Sequence, residues 1–270
     1  MRAVIDELLH DDERALALAA AAGAHGVYVR NALAEREGEG FLLSLDGRAA
    51  VALAWCGPRG NLVVLAGAGL DGALADRIAA EVLARKRPWR IAMGPENVIA
   101  ALRERLPVVP LVHREQVYYA GTAASAAATA RRDEVRRAQR ADRDRLMQAT
   151  LALNASDLNV DPARVDRRWL RDTIDERVAQ GTTWVIGPPG GVRCKLDIGS
   201  DGPGGAVIEG VFTFPEVRGQ GLACALVATC LAAARGSMSL HVGKHNRPAR
   251  SAYAAAGMVE AGSCRLLLLP

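Results

Sequence analysis

The chain has 270 residues, half of them hydrophobic and 24% charged, with a formal net charge of +4. That length suits one large domain or two ordinary ones, the balance is globular, and no apolar run reaches the roughly 18 to 20 residues that span a bilayer. The five cysteines, Cys56, Cys194, Cys224, Cys230 and Cys264, contain no CxxC pair, which argues against a zinc site or a disulfide framework, and the mild positive charge fits an anionic ligand without arguing for nucleic acid.

Residues 1–36 read as helical, opening on an acidic amphipathic stretch unlike a signal peptide, so a cytoplasmic protein is expected. Asp11 or Asp12 caps a helix through Ala22, and a second helix covers Val27 to Glu35. Three strand-like runs follow, Phe41–Leu45, Ala49–Trp55 and Asn61–Ala66. The first two are separated by Asp46-Gly47, a hairpin signal. Asp71 to Arg85 is amphipathic with Leu74, Ile78, Val82 and Leu83 on one face. Then come a strand Trp89–Met93, a helix Glu96–Arg105 and a strand near Gln116–Tyr119.

Residues 121–132 (GTAASAAATARR) have no large apolar side chain and read as a linker or exposed crossover. Seven arginines and four acids crowd residues 131–145. A solvated face of Asp/Arg pairs is the plainer reading of that stretch. It lacks the aromatics that a stacking platform for single strands needs, so nucleic acid is not expected as a partner. A strand near Glu134–Ala138, helices Asp142–Leu153 and Arg167–Ala179, and strands Thr183–Ile186, Val192–Ile198 and Ala206–Phe214 come next. Helix Leu222–Ala234, strand Met238–Val242, helix Pro248–Ala256 and strand Cys264–Leu269 complete the chain. The halves share an element order that suggests duplication, although no aligned repeat is visible.

One stretch organises the second half. An apolar run ends at Pro215, Arg218, Gly219 and Gly221 form a turn, and a helix starts at once. The first N–H groups of a helix lack partners and carry its positive dipole end, so they suit phosphate. The turn, Arg218-Gly-Gln-Gly221-Leu-Ala223, fits R/Q-x-x-G-x-G/A. Some way on, Asn246-Arg-Pro-Ala249-Arg-Ser-Ala-Tyr253-Ala-Ala-Ala-Gly257-Met258 fits N-x-x-A-x-x-x-Y-x-x-x-G-[FM]. Together these resemble the GNAT superfamily of acyl-CoA-dependent N-acyltransferases, and Gly210 to Ala223 is similar to its FR47-like branch. The resemblance covers roughly residues 132–270.

That resemblance implies a mixed α/β fold of tandem GNAT-like domains, each a central, mostly antiparallel twisted sheet flanked by helices. The domains would be residues 1–120, a linker at 121–132, and a catalytic domain at 133–270. It implies acetyl-CoA as co-substrate, no metal, and an amine acceptor: a protein lysine, an N-terminus or a small-molecule amine. Backbone N–H groups of Gly219, Gln220, Gly221, Leu222 and Ala223, with Arg218, would hold the pyrophosphate. Phe212, Thr213 and Phe214 would pair with the pantetheine arm, and Asn246 would contact it. Tyr253 would be the general acid and Glu209 a base, acting directly or through water. His245 is a second base candidate. Such chemistry needs a deprotonated amine, donors for developing negative charge and a proton for the leaving thiolate, in a direct ternary complex.

Plainer readings stay open beside these. The glycines could serve an ordinary βα turn, Tyr253 could only pack, Asn246 could only cap the next helix, and Glu209 could face solvent. Strand alternation puts Glu209, Val211 and Thr213 on one face. His241 and His245 read first as structural histidines. The acceptor side carries Asp157, Asp161, Asp166 and Asp172, but arginines alternate with them. The first half lacks the glycine-turn motif. Asp71 stands where an anion would sit and Glu104 where the tyrosine should be, so it reads as a degenerate GNAT-like domain that does not bind CoA. A non-catalytic CoA-binding regulatory module is the alternative function, and a homodimer is left open.

Overall fold

The computed structural model describes residues 3–46 and 50–270. Gly47 and Ala49, which the hairpin and second-strand expectations include, lie outside the described residues. The chain forms two compact units, one of residues 1–118, 202–204 and 261–270, the other of residues 119–201 and 205–260. Each holds a mostly antiparallel sheet flanked by helices.

The first unit opens with β1 (Ala3–Glu7), α1 (Glu13–Ala21), α2 (Val27–Ala34), β2 (Glu39–Leu45) and β3 (Ala50–Cys56). It continues with β4 (Asn61–Ala66), α3 (Gly72–Ala84), β5 (Ile91–Gly94), α4 (Glu96–Arg105) and β6 (Val112–Gly121), whose last residues belong to the second unit. β1 corrects the all-helical reading of residues 1–36. Its β-branched pair Val4 and Ile5 lies in an antiparallel ladder running from Ala3↔Leu45 to Glu7↔Phe41, and that pairing outweighs the local amphipathic pattern. Asp12 caps α1 by accepting from Arg14 N at 2.8 Å. Period-two alternation divides β2 and β3 between two cores. Phe41, Leu43, Ala52 and Ala54 pack with Ile78 of α3 and Ile99 of α4, while Leu42, Leu53 and Trp55 pack with Leu18 of α1 and Leu33 of α2.

The second unit contains β7 (Val135–Arg137), α5 (Arg143–Leu158), α6 (Arg167–Ala179), β8 (Thr183–Ile186), β9 (Cys194–Gly202), β10 (Gly205–Thr213), α7 (Leu222–Ala232), β11 (Met238–Gly243) and α8 (Arg247–Ala255). Its strands lie in the order β11-β10-β9-β8-β7. Leu146 and Leu151 of α5, Leu170 and Ile174 of α6, Val185, Phe212 and Phe214 make its core. Asp142, with a side chain fully shielded from solvent, fixes the entry to α5. It accepts from Arg136 Nη1 and Nη2 at 2.7 and 2.9 Å and from the N–H groups of Gln139 and Gly190 at 2.8 Å each.

The last strand, β12 (Val259–Leu268), departs from the expected boundary at 133–270. Its end pairs antiparallel with β5 from Arg265↔Gly94 to Leu268↔Ile91, and Leu267 is fully buried in the first unit's core. Residues 121–132 are mostly exposed but pinned. Ser125 closes a turn onto Thr122, and Ala127 N donates to Ala256 O at 3.0 Å. The arginine-rich stretch carries the ion pairs Arg131–Glu134, Arg136–Asp142, Arg143–Asp175 and Arg145–Glu216, of which Arg136–Asp142 is buried on its carboxylate side.

Candidate active site

Gly210 sits mid-strand in β10 with φ +58, a left-handed conformation that glycine takes without strain. Such an extra residue bulges the strand and shifts its side-chain parity. Before it, Glu209 Oε2 lies 3.4 Å from Arg177 Nη2 of α6. After it, Phe212 and Phe214 turn into the α5/α6 core. Thr213 faces the other way, its hydroxyl 3.2 Å from Cys194 Sγ. The expected common face for Glu209, Val211 and Thr213 therefore fails: Glu209 and Thr213 lie on opposite faces of the strand.

β10 and β11 pair in parallel through Ala206↔Met238 and Val207↔Ser239. Their ladder ends there, although β10 runs on to Thr213 and β11 to Gly243. Beyond that point the β11-facing backbone edge of Phe212 and Thr213 has no strand partner in the ladder. On the opposite edge, Phe214 N donates to Arg193 O at 3.1 Å.

The turn that follows is exposed from Arg218 to Gly221. Gly219 and Gly221 have φ +76 and +75, and a Cβ on either would meet no other atom within 4 Å, so backbone conformation alone demands glycine. Gly221 is the N-cap of α7, and no side chain caps that helix. Three arginines ring the turn. Arg218 Nε donates to Thr213 O at 3.1 Å, and Arg193 Nη2 donates to Gln220 Oε1 at 2.7 Å. The Arg145 guanidinium stacks 3.4 Å over the Phe214 ring and pairs with Glu216. Sequence reasoning singled out Arg218 alone. Arg145 was read only as part of a solvated face, and no motif marks Arg193. Leu222 is buried in the first turn of α7, and Ala223 is half-buried.

Asn246 caps α8, its Oδ1 accepting from Ala249 N at 3.2 Å. That is the plainer role held open for it. His245 beside it is exposed. Tyr253 is 6% exposed and stands T-shaped to Tyr119 at 5.9 Å. Burial, then the neighbouring Asp157 and Cys194, push its phenol well above the usual range, so it keeps its proton at neutral pH. Burial likewise pushes the Cys194 thiol up to about 11. The donor set suits a diphosphate at α7 and an extended amide-bearing arm along β10. A carboxylate stands on one face of that strand and a protonated phenol is associated with the other. Among the described residues no group of three or more His, Cys, Asp or Glu side chains could hold a metal ion, and no helix is long and apolar enough to cross a membrane.

Residues 148–258 match the family model described as acetyltransferase (GNAT) family. The chain carries a GNAT acetyltransferase domain. The match spans Glu209, the glycine turn, Asn246 and Tyr253, and the family implies N-acetyl transfer dependent on an acyl-CoA. No curated protein matches the sequence. Solved structures resemble both units together. A GCN5-related N-acetyltransferase from Sphaerobacter thermophilus has TM-score 0.58 at 16% identity, covering 98% of this chain and 94% of its own. A GNAT-family acetyltransferase from Colwellia psychrerythraea has TM-score 0.55 at 12% identity, covering 98% of each chain. A Drosophila protein has TM-score 0.64 at 10% identity, covering 100% and 99%. At such identities these likenesses concern the fold.

Proposed function

We propose that the GNAT domain transfers an acetyl group from acetyl-CoA directly to a primary amine. One observation carries this reading: an uncapped glycine turn ringed by Arg145, Arg193 and Arg218, opening beside the place where β10 and β11 stop pairing. Bound acetyl-CoA supplies the activated acetyl thioester. The N–H groups of Gly219 to Ala223, with Arg218 and Gln220, hold its diphosphate. The backbone of Phe212, Thr213 and Phe214, where β10 has no β11 ladder partner, aligns the arm, and Asn246 borders it while capping α8. Glu209 accepts a proton from the acceptor ammonium. The amine nitrogen then bonds to the acetyl carbon, the carbon–sulfur bond breaks, and Tyr253 supplies the proton the sulfur needs. Its phenol regains one from the nitrogen through solvent.

Direct transfer is supported by Cys194. Its thiol touches the Thr213 hydroxyl at 3.2 Å, and burial keeps it protonated and a poor acyl acceptor. The first domain, about residues 1–120, serves as a degenerate GNAT-like partner without a CoA site of its own.

Thermal shift with acetyl-CoA, followed by a primary-amine panel read by thiol release, tests the proposal. Stabilisation and amine-dependent thiol release are expected, and Arg218→Glu should remove the stabilisation. No response at millimolar acetyl-CoA would sink the reading. Binding without thiol release toward any amine would leave the regulatory CoA-binding module instead.

A further inference from the structure

Behind Glu209 lies a charge network whose other members, Arg177, Asp197 and Lys195, have no part in the transfer chemistry above. Lys195 Nζ contacts Asp197 Oδ2 at 2.5 Å, with side chains 3% and 7% exposed. Thr183 Oγ1 donates to Asp197 Oδ1 at 2.6 Å. Arg177 Nη1 lies 2.9 Å from Asp197 Oδ2, while its Nη2 reaches Glu209 at 3.4 Å. Two cations and two carboxylates balance. Burying Lys195 and Asp197 is costly unless they are paired, and as a stability device such a pair has no advantage over apolar packing, while Arg177 and Glu209 are 23% and 37% exposed. The Glu209 carboxyl also rests on Gly199, where an added Cβ would meet its Cδ at 2.0 Å.

We propose that Arg177 is a positioning residue that acts through Glu209. Asp197, anchored by Lys195 and Thr183, fixes one side of the guanidinium. The other side aims the Glu209 carboxylate, at a length of 3.4 Å that leaves it room to turn onto an acceptor ammonium. Gly199 provides the space. This role rests on the base assignment made above and adds to it the residues that orient the base.

A double-mutant cycle on amine-dependent thiol release tests it. Arg177→Gln leaves the Lys195–Asp197 pair balanced, so the fold should tolerate it. We expect kcat to fall about tenfold with KM for acetyl-CoA unchanged, a small part of the 10²- to 10⁴-fold that a general base contributes. Arg177→Lys should recover part of the loss. In a Glu209→Gln background the same Arg177→Gln change should cost nothing further, because its only route is through Glu209. Gly199→Ala, which displaces the Glu209 carboxyl without altering charge, should lower kcat in the same way while keeping the acetyl-CoA thermal shift. Additive losses in the double variant, or an unchanged kcat in both Arg177→Gln and Gly199→Ala, would overturn the role. A wild-type protein that releases no thiol with any amine would instead defeat the acetyltransferase reading, and this role with it.

Discussion

The two units each feed a strand into a helix at the corresponding place, and the two turns are built oppositely. At the β4–α3 turn, Asp71 caps the helix by accepting from Leu74 N at 2.9 Å. The seat for an anion is thus filled by a carboxylate of the chain itself. β5 stays against β4, pairing from Asn61↔Ile91 to Val63↔Met93, and Gly94 sits so close to Val64 that a Cβ there would meet it at 3.0 Å. At the β10–α7 turn, the cap position is Gly221 in a left-handed conformation, nothing caps the helix, arginines surround it, and the ladder to β11 stops early. The same element order therefore gives a closed turn in one unit and an open, anion-ready one in the other. The difference lies in a few side chains rather than in the fold.

Copying the closed turn into the open one should have the largest effect. Gly221→Asp places a carboxylate at the α7 N-terminus and forces a non-glycine residue to φ +75. Opposing an anion at a helix N-terminus and straining the backbone each cost roughly 1 to 2 kcal/mol. Acetyl-CoA affinity by calorimetry should drop at least about 100-fold, the equivalent of about 2.8 kcal/mol. Unchanged affinity would show that α7 is not the anion seat.

The second contrast is the tyrosine. α8 presents the buried Tyr253, whereas α4 (Glu96–Arg105) contains no tyrosine. Tyr253→Phe keeps the ring and its packing on Tyr119 but removes the proton. Loss of a general acid at the low end of its usual contribution predicts a kcat reduced about 100-fold, with acetyl-CoA affinity unchanged. If Tyr253 only packs, turnover will stay at the wild-type value.

Much of this was legible because it is local. Helices Glu96–Arg105 and Arg167–Ala179 begin and end where the sequence pattern puts them, and the glycine turn leading into α7 could be read from its residues alone. What was hidden is what needs distant partners. Arg145 and Arg193 reach the turn through tertiary packing, and no spacing marks them. The Gly210 bulge inverts strand parity, so alternation misplaced Thr213 relative to Glu209. β1 is a strand because β2 offers it a ladder, and β12 ends in the first unit because β5 does the same. In each case a long-range partner overrode a local pattern.

A smaller effect concerns the second unit's stability alone. Burial pushes the Asp142 carboxyl up, but the Arg136 guanidinium and the N–H groups of Gln139 and Gly190 outweigh it and hold it below the ordinary carboxylate range. A carboxyl lowered on folding contributes stability that is present above its unfolded value, about 3.9, and lost as pH falls through its folded value. Asp142→Asn should cost about 2 kcal/mol at neutral pH, since it replaces charge-assisted hydrogen bonds with weaker ones. The wild-type advantage over this variant should shrink between pH 4 and lower pH in denaturant titrations. An advantage that stays flat with pH would detach Asp142's ionisation from the fold.

The smallest expected effect tests the comparison from its other side. Asp71→Ala removes the cap of α3, worth about 1 kcal/mol, and should lower Tm by about 2 to 4 °C. If Asp71 alone kept the first unit from binding an anion, the variant would gain a second acetyl-CoA site, visible in calorimetry as a doubled stoichiometry. We expect the stoichiometry to stay at one. Freeing the helix N-terminus leaves β5 paired with β4 through Val63↔Met93 and Gly94 seated against Val64, so no gap opens beside the seat. An anion seat is thus only half of the device; the other half is the strand edge beside it, which the first unit keeps closed.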